Sequence, residues 1–197
     1  MQEIAVRKIV EVPIADVRNT TRFASFLGVD KEHFAILIGD YQTQPVLTRV
    51  HSECITGDMF GSKRCDCGPQ LREALAAMDK RGGGVLIYMR QEGRGIGLFS
   101  KLDAYELQSM GIDTFEANEM LGYAEDGREF ESAALMLKAL GVTQIELITN
   151  NPDKEATMQA HGIVVEKRVP SGVFLTKENE HYLRSKVEKK HHTIDLA

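Results

Sequence analysis

Apolar residues fall into short segments along the chain, with two distinct periods. Residues 9–14, 34–38 and 46–50 are short apolar runs of the kind that form strands. The polar stretch Gln42, Thr43, Gln44 and Pro45 separates the last two and predicts a hairpin connection. Leu71, Ala74, Leu75 and Met78 recur at helical spacing, which predicts a helix over 69–81 with Pro69 in its first turn and Gly82-Gly83-Gly84 as its stop. The compact apolar run 85–88 predicts another strand, followed by a glycine-punctuated loop over 91–97. Helical patterns follow over 101–110 and 130–140, closed by Gly111 and Gly141. A strand over 145–148, a helix over 152–160 ending before Gly162, and a strand over 163–165 complete the series. Strands alternating with helices predict an α/β fold, and the antiparallel-looking start makes the sheet mixed and only partly parallel, with flanking helices. The polar segment 179–192 predicts a surface helix. One domain over 1–197 accommodates all of these elements.

Composition narrows the partners. A net charge of −5 argues against a broad nucleic-acid surface, yet a few converging arginines can still hold a small anion. No apolar run approaches the ~20 residues of a membrane span, and Met1-Gln2-Glu3-Ile4 lacks the basic and apolar regions of a signal peptide, so a cytoplasmic chain with no membrane partner is expected. In that setting, clustered cysteines mean metal or catalysis more often than disulfides.

Cys54, Cys65 and Cys67 are the chain's three cysteines, spaced C-x10-C-x-C. A C-x-C turn aims two sulfurs at one point, and Gly68-Pro69 places that turn at a helix start, whose positive end favours thiolates. Three thiolates suit a catalytic zinc with a position left for water. Two other readings stand beside it: a structural zinc closed by His51, and ordinary core cysteines.

Other segments carry polar chemistry. On a strand, Arg49, His51 and Glu53 share one face and lead into Cys54. The loop Gln91 to Gly97 follows a strand, lets backbone amides approach phosphates, and adds Arg94. It has neither the Walker spacing nor the dinucleotide spacing. Asp126-Gly127-Arg128 precedes a helix and offers a proton acceptor beside a phosphate ligand. Thr149-Asn150-Asn151-Pro152-Asp153-Lys154 runs from a strand end into a helix, a common ligand position in α/β sheets and equally a good αβ turn.

Four motifs in order, R-V-H-S-E-C at 49–54, R-C-D-C-G at 64–68, R-Q-E-G-R-G-I-G-L at 90–98 and T-N-N-P at 149–152, resemble GTP cyclohydrolase II over about residues 45–170, with the N-E-H-Y segment at 179–182 also similar. The resemblance implies hydrolysis of GTP to a diaminopyrimidine ribosylamine phosphate, formate and pyrophosphate, the first step of riboflavin biosynthesis. It implies zinc on Cys54, Cys65 and Cys67, and magnesium with the triphosphate. It implies substrate contacts at Arg49, Val50, His51, Ser52, Glu53, Gln70, Glu92, Gly93, Arg94, Thr114, Thr149 and Lys154. Asp126 matches the proton acceptor, Tyr105 a tyrosine that assists ring opening, and Arg128 a nucleophile at the α-phosphate. A permanently charged guanidinium serves better as an electrostatic clamp. The resemblance further implies a homodimer and the monofunctional form without a dihydroxybutanone phosphate synthase half. Two rival functions remain: a non-catalytic GTP-binding regulator with structural zinc, and a relative that stops at the formamidopyrimidine nucleotide.

Overall fold

The strand with the most continuous apolar run lies inside the sheet. A computed structural model describes residues 3–124, 126–180, 183, 184 and 187. In it β5 (Gly83–Met89) is buried along nearly its whole length. The remaining strands are β1 (Ala5–Glu11), β2 (Thr21–Leu27), β3 (Phe34–Gly39), β4 (Val46–Ser52), β6 (Gln144–Ile148) and β7 (Val164–Val169). The helices are α1 (Ile55–Asp58), α2 (Cys67–Arg81), α3 (Leu98–Ser109), α4 (Thr114–Met120), α5 (Glu131–Ala139) and α6 (Pro152–Ala160), with a 3-10 turn at Glu92–Gly95. The described residues form one seven-stranded sheet in the order β1-β2-β3-β5-β4-β6-β7. β1, β2, β3 and β5 pair antiparallel, and β4, β6 and β7 pair parallel, so the fold is the expected mixed α/β arrangement.

The chain divides into two compact units. The first comprises Met1–His51, Leu71–Arg90 and Phe130–Gly172; the second comprises Ser52–Gln70, Gln91–Glu129 and Val173–Ala197. The sheet belongs to the first, and its side chains separate by period two. Ala35 and Leu37 of β3 join Val85, Ile87 and Met89 of β5 in one cluster with Met136 and Leu137 of α5 and Met158 of α6. Ile36, Ile38 and Leu86 point the other way and pack with Ala74 and Met78 of α2. Burial on both faces explains why β5 is apolar throughout rather than alternating.

That burial also corrects one expectation. The predicted hairpin between 34–38 and 46–50 does not form, because β5 lies between β3 and β4. A strand with two apolar faces needs paired neighbours on both edges, which the interior of the sheet supplies. The first predicted strand, 9–14, begins earlier and stops at Glu11, before Pro13, which has no N–H to donate to a ladder. No element is predicted for β2, α1 or α4. β2 mixes Arg22 and Ser25 with its apolar residues and gains strand structure from pairing between β1 and β3. The predicted tail helix, 179–192, lies mostly outside the described residues. No helix is long and apolar enough to cross a membrane, among the described residues.

Candidate metal centre and nucleotide pocket

In the second unit, three local structures bring the cysteines together. Cys54 precedes α1, and its N–H donates to the carboxylate of Asp58 at 3.0 Å, closing that short helix on itself. Cys67 is the first residue of α2, where the helix's positive end favours thiolate. Between them, Asp66 is buried and accepts a hydrogen bond from Gln70 Nε2 at 2.6 Å, which holds the C-x-C turn against the first turn of the helix. The Sγ atoms of Cys54 and Cys65 stand 3.6 Å apart, and all three sulfurs lie within 4.8 Å of one another.

Gly57 shows how tightly the trio is drawn. A Cβ on this residue would stand 2.8 Å from Cys65 Sγ, 3.1 Å from Cys54 Sγ and 3.2 Å from Cys67 Cβ. Three converging soft donors with a cleared wall fit a zinc ion, which takes thiolates at about 2.3 Å. Gly57→Ala is therefore expected to leave the fold intact by circular dichroism while lowering zinc affinity by about tenfold or more, read by competition with a chelator. Unchanged affinity would mean that the wall is not tight.

The thiols share charge unequally. Hydrogen bonds from Cys65 and Cys67, and then the nearby Lys101 ammonium, hold the Cys54 thiol well below its ordinary range. The reciprocal contact with Cys54, with burial, pushes Cys65 up to about 12 and also raises Cys67.

A pocket opens from the cysteines, walled in part by Arg64, Arg94, Tyr105, Gln108, Asn118 and Arg128. It offers about 90 Å³ of space to the centres of water-sized molecules, room for several waters. In its wall, the buried Ser52 Oγ and Gln91 Oε1 have no hydrogen-bond partner among the described residues. Orphaned buried polar atoms are costly, and in a pocket wall they mark contacts reserved for a ligand or water.

The glycine loop forms one side. Gly93, Arg94 and Gly95 all take positive φ (62°, 62° and 96°). For Arg94 this is a strained conformation of the kind found at ligand sites. The loop is fastened where Gly127 N–H donates to Arg94 O at 3.1 Å. A Cβ on Gly95 would stand 3.0 Å from Gly127 O, so glycine is needed for this approach as well as for its φ. Glu92 spends its carboxylate internally: Oε2 accepts from Ile55 N–H at 2.6 Å, and Oε1 from Gly93 N–H at 2.9 Å and Lys101 Nζ at 2.7 Å.

Beyond the loop, Asp126 and Arg128 form a two-pronged pair, Nε to Oδ1 at 2.9 Å and Nη2 to Oδ2 at 2.6 Å. Burial alone would raise the Asp126 carboxyl, but the hydrogen bonds and charge of Arg128 hold it below its ordinary value. Burial raises the phenol of Tyr105, against the opposing charge of Lys101, so it keeps its proton at neutral pH. Arg64 braces this tyrosine, with Nη1 donating to Tyr105 O at 3.1 Å and its guanidinium 4.9 Å from the ring centre.

The pocket thus gathers Ser52, Glu53, Glu92, Gly93, Arg94, Tyr105 and Arg128 with the three cysteines. Gln70 is occupied with Asp66, and Asp126 reaches this group through Arg128. Thr114 begins α4, and its side chain lies outside the described part. The remaining predicted residues lie in the first unit. There Lys154 Nζ donates to Val50 O at 2.7 Å, Arg49 Nη1 donates to Ile148 O at 3.2 Å, and Thr149 Oγ1 accepts from Asn151 N–H at 3.0 Å. The His51 ring stacks on Tyr88 with centroids 5.5 Å apart. In T-N-N-P, Asn151 caps α6 and Asn150 exchanges hydrogen bonds with Ser171. The good αβ turn is therefore real, whatever else this segment does.

Lys101, Arg64, Gln108 and Asn118 are not among the predicted site residues. The available signal is on α3: Lys101, Ala104, Tyr105 and Gln108 follow i, i+3, i+4, i+7 spacing, and all four line the pocket. A polar stripe at that spacing reads as a solvated face until something is known to lie opposite it.

Residues 8–170 match the protein family described as GTP cyclohydrolase II. The chain belongs to the GTP cyclohydrolase II family. The GTP cyclohydrolase-2 of Psychromonas ingrahamii is 48% identical over 184 residues, 91% of this chain and 92% of that protein. The riboflavin biosynthesis protein RibBA of Bacillus cereus is 50% identical over 190 residues, 92% of this chain and 48% of the relative. RibBA of Bacillus cytotoxicus is 48% identical over 202 aligned residues, 98% of this chain and 50% of the relative. The chain thus spans about half the length of these two Bacillus relatives. The GTP cyclohydrolase II match contains every predicted site residue from Arg49 to Lys154.

Proposed function

We propose that this chain catalyses the GTP cyclohydrolase II reaction: GTP and water give a diaminopyrimidine ribosylamine phosphate, formate and pyrophosphate, the first step of riboflavin biosynthesis. The observation that carries this reading is the cluster of three cysteines facing a pocket whose walls include Arg94, Arg128 and Tyr105. Family membership supports the same conclusion.

Cys54, Cys65 and Cys67 would hold a zinc ion. Among the described residues this cluster contains no fourth ligand, which favours a catalytic over a closed structural site. When bound, zinc supplies a Lewis acid that activates water near neutral pH.

The other roles belong to the chain's own side chains. Arg94 and Arg128 would bind phosphate oxygens through paired N–H donors. Magnesium would accompany the triphosphate as its bridging ion. As Arg128 turns toward phosphate, Asp126 loses the partner that keeps its carboxyl acidic and becomes the stronger base that a proton acceptor must be. Tyr105 would donate its retained proton to a ring nitrogen as a C–N bond breaks. Ser52 and Gln91 would supply their unused hydrogen-bonding atoms to the guanine edge. Arg49, Val50, His51, Thr149 and Lys154 would complete the nucleotide contacts, as the family resemblance implies. The same resemblance implies a homodimer, and a net charge of −5 argues against a nucleic-acid partner while leaving room for a small anionic substrate.

The test is formate and pyrophosphate release from GTP, with zinc measured on the same sample. Both products at equal rates, with about one zinc per chain, are expected. Pyrophosphate without formate would replace this reading with the truncated reaction. GTP and zinc binding without either product would replace it with a regulator.

A further inference from the structure

Three thiolates carry one more negative charge than a zinc ion neutralises. A site used for catalysis cannot keep that surplus without cost, because an electron-rich metal is a weak Lewis acid. The structure places one buried cation against the cluster. Lys101 Nζ stands 3.2 Å from Cys54 Sγ, within hydrogen-bonding distance of sulfur. The lysine is 9% exposed, and its ammonium points inward from α3.

Its position is over-determined. The same nitrogen donates to Glu92 Oε1 at 2.7 Å and to Thr56 Oγ1 at 3.0 Å, which gives its three protons three acceptors. Glu92 is itself anchored by the backbone N–H groups of Ile55 and Gly93, so it serves as a fixed post for the ammonium. Tyr105 closes the remaining side, with its ring centre 5.5 Å from Nζ. The charged and titratable groups that face the ammonium are thus Cys54, Glu92 and Tyr105. A flexible side chain held at three points and shielded from solvent is not a solvated surface lysine.

We propose that Lys101 is a positioning residue for the metal centre: its ammonium donates an N–H···S hydrogen bond to Cys54, offsets the surplus negative charge of the three thiolates, and thereby sets the electron-accepting strength of the bound metal. This rests on the proposed zinc-dependent reading, and it assigns a role outside the direct ligand and substrate contacts.

The test uses full-length protein loaded with Co²⁺ as a spectroscopic stand-in for zinc, comparing wild type with Lys101→Met and Lys101→Arg. Removing a hydrogen bond from a thiolate makes it a better donor. Lys101→Met is therefore expected to move the thiolate-to-cobalt absorption to lower energy, and to change metal affinity or GTP turnover by about 10–100-fold, the usual effect of losing an outer-shell partner. The acid limb of the kcat/KM profile moves to higher pH. Lys101→Arg keeps the charge and recovers much of the wild-type spectrum. If Lys101→Met does not fold, Lys101→Leu, which also removes both the donor and the charge, carries the same comparison. A folded, cobalt-loaded Lys101→Met or Lys101→Leu protein with the wild-type spectrum and wild-type metal affinity overturns the proposal. Because the spectrum needs no turnover, a wild-type protein that binds cobalt but releases no formate would sink the functional reading and leave the Lys101 assignment to be judged by its own result.

Discussion

Replacing Cys65 with serine is expected to abolish formate release and to strip the protein of zinc. Cys65 is the middle member of the trio, 3.6 Å from Cys54 Sγ and buried with it. Serine keeps the size but offers a hard, protonated hydroxyl where a soft thiolate is needed. Losing an outer partner of a metal site costs about 10–100-fold, so losing a direct ligand costs more. The two measurements are metal content after dialysis and formate release at saturating GTP. A Cys65→Ser protein with full turnover would sink the catalytic zinc. A protein that loses zinc and unfolds together would assign the cluster a structural role. The predicted pattern is zinc loss with a retained far-ultraviolet spectrum, because the main hydrophobic clusters lie in the first unit and contain none of the cysteines.

The second large effect is at Arg128. Arg128→Ala is expected to lower pyrophosphate release by on the order of a thousandfold, comparable with removal of an arginine that stabilises a transferring phosphoryl group. Arg128→Lys should recover little, because an ammonium cannot reproduce the two parallel bonds that the guanidinium makes to Asp126 or would make to phosphate. The substitution also has a pH signature. Arg128 holds the Asp126 carboxyl below its ordinary value of 3.8, so in the wild type the carboxylate survives at lower pH than a free one. A carboxyl depressed in this way contributes stability above its unfolded-state pKa and loses it as pH falls through the folded value. In Arg128→Ala, burial is opposed by the charge of Arg94 but no longer by the guanidinium, and the carboxyl rises. The acid limb of the residual activity should then move to higher pH. An unmoved limb would remove Asp126 from the role of proton acceptor.

Much of this site is legible in the order of residues along the chain. The C-x10-C-x-C spacing marks three candidate ligands, and the fold brings those sulfurs to one point. The glycine loop announces a backbone that departs from ordinary φ, and Gly93 and Gly95 do so. The same holds for the helix over 152–160, whose bounds are readable because Asn151 caps it and Pro152 begins it. These features are local: each depends on residues a few positions apart, whose chemistry is the same in any fold.

What sequence alone misjudges depends on distant residues. Residues 34–38 and 46–50 are short apolar runs joined by a polar stretch, as in a hairpin, yet β5 takes the position between them. Which strand pairs with which is decided by how much apolar surface each must cover on both faces, a sum over the whole sheet that no local window contains. Lys101 is the clearest case. In the sequence it is one charge on an amphipathic helix, as compatible with water as any other. Only packing brings Cys54, from a segment 47 positions earlier, to within 3.2 Å of its nitrogen. The sequence by itself determined the candidate ligands, the glycine loop and the bounds of the helix over 152–160, because bonding preference and backbone freedom belong to single residues. Tertiary structure alone decided the strand order and the cation beside the thiolates, because burial and charge balance belong to the assembled surroundings.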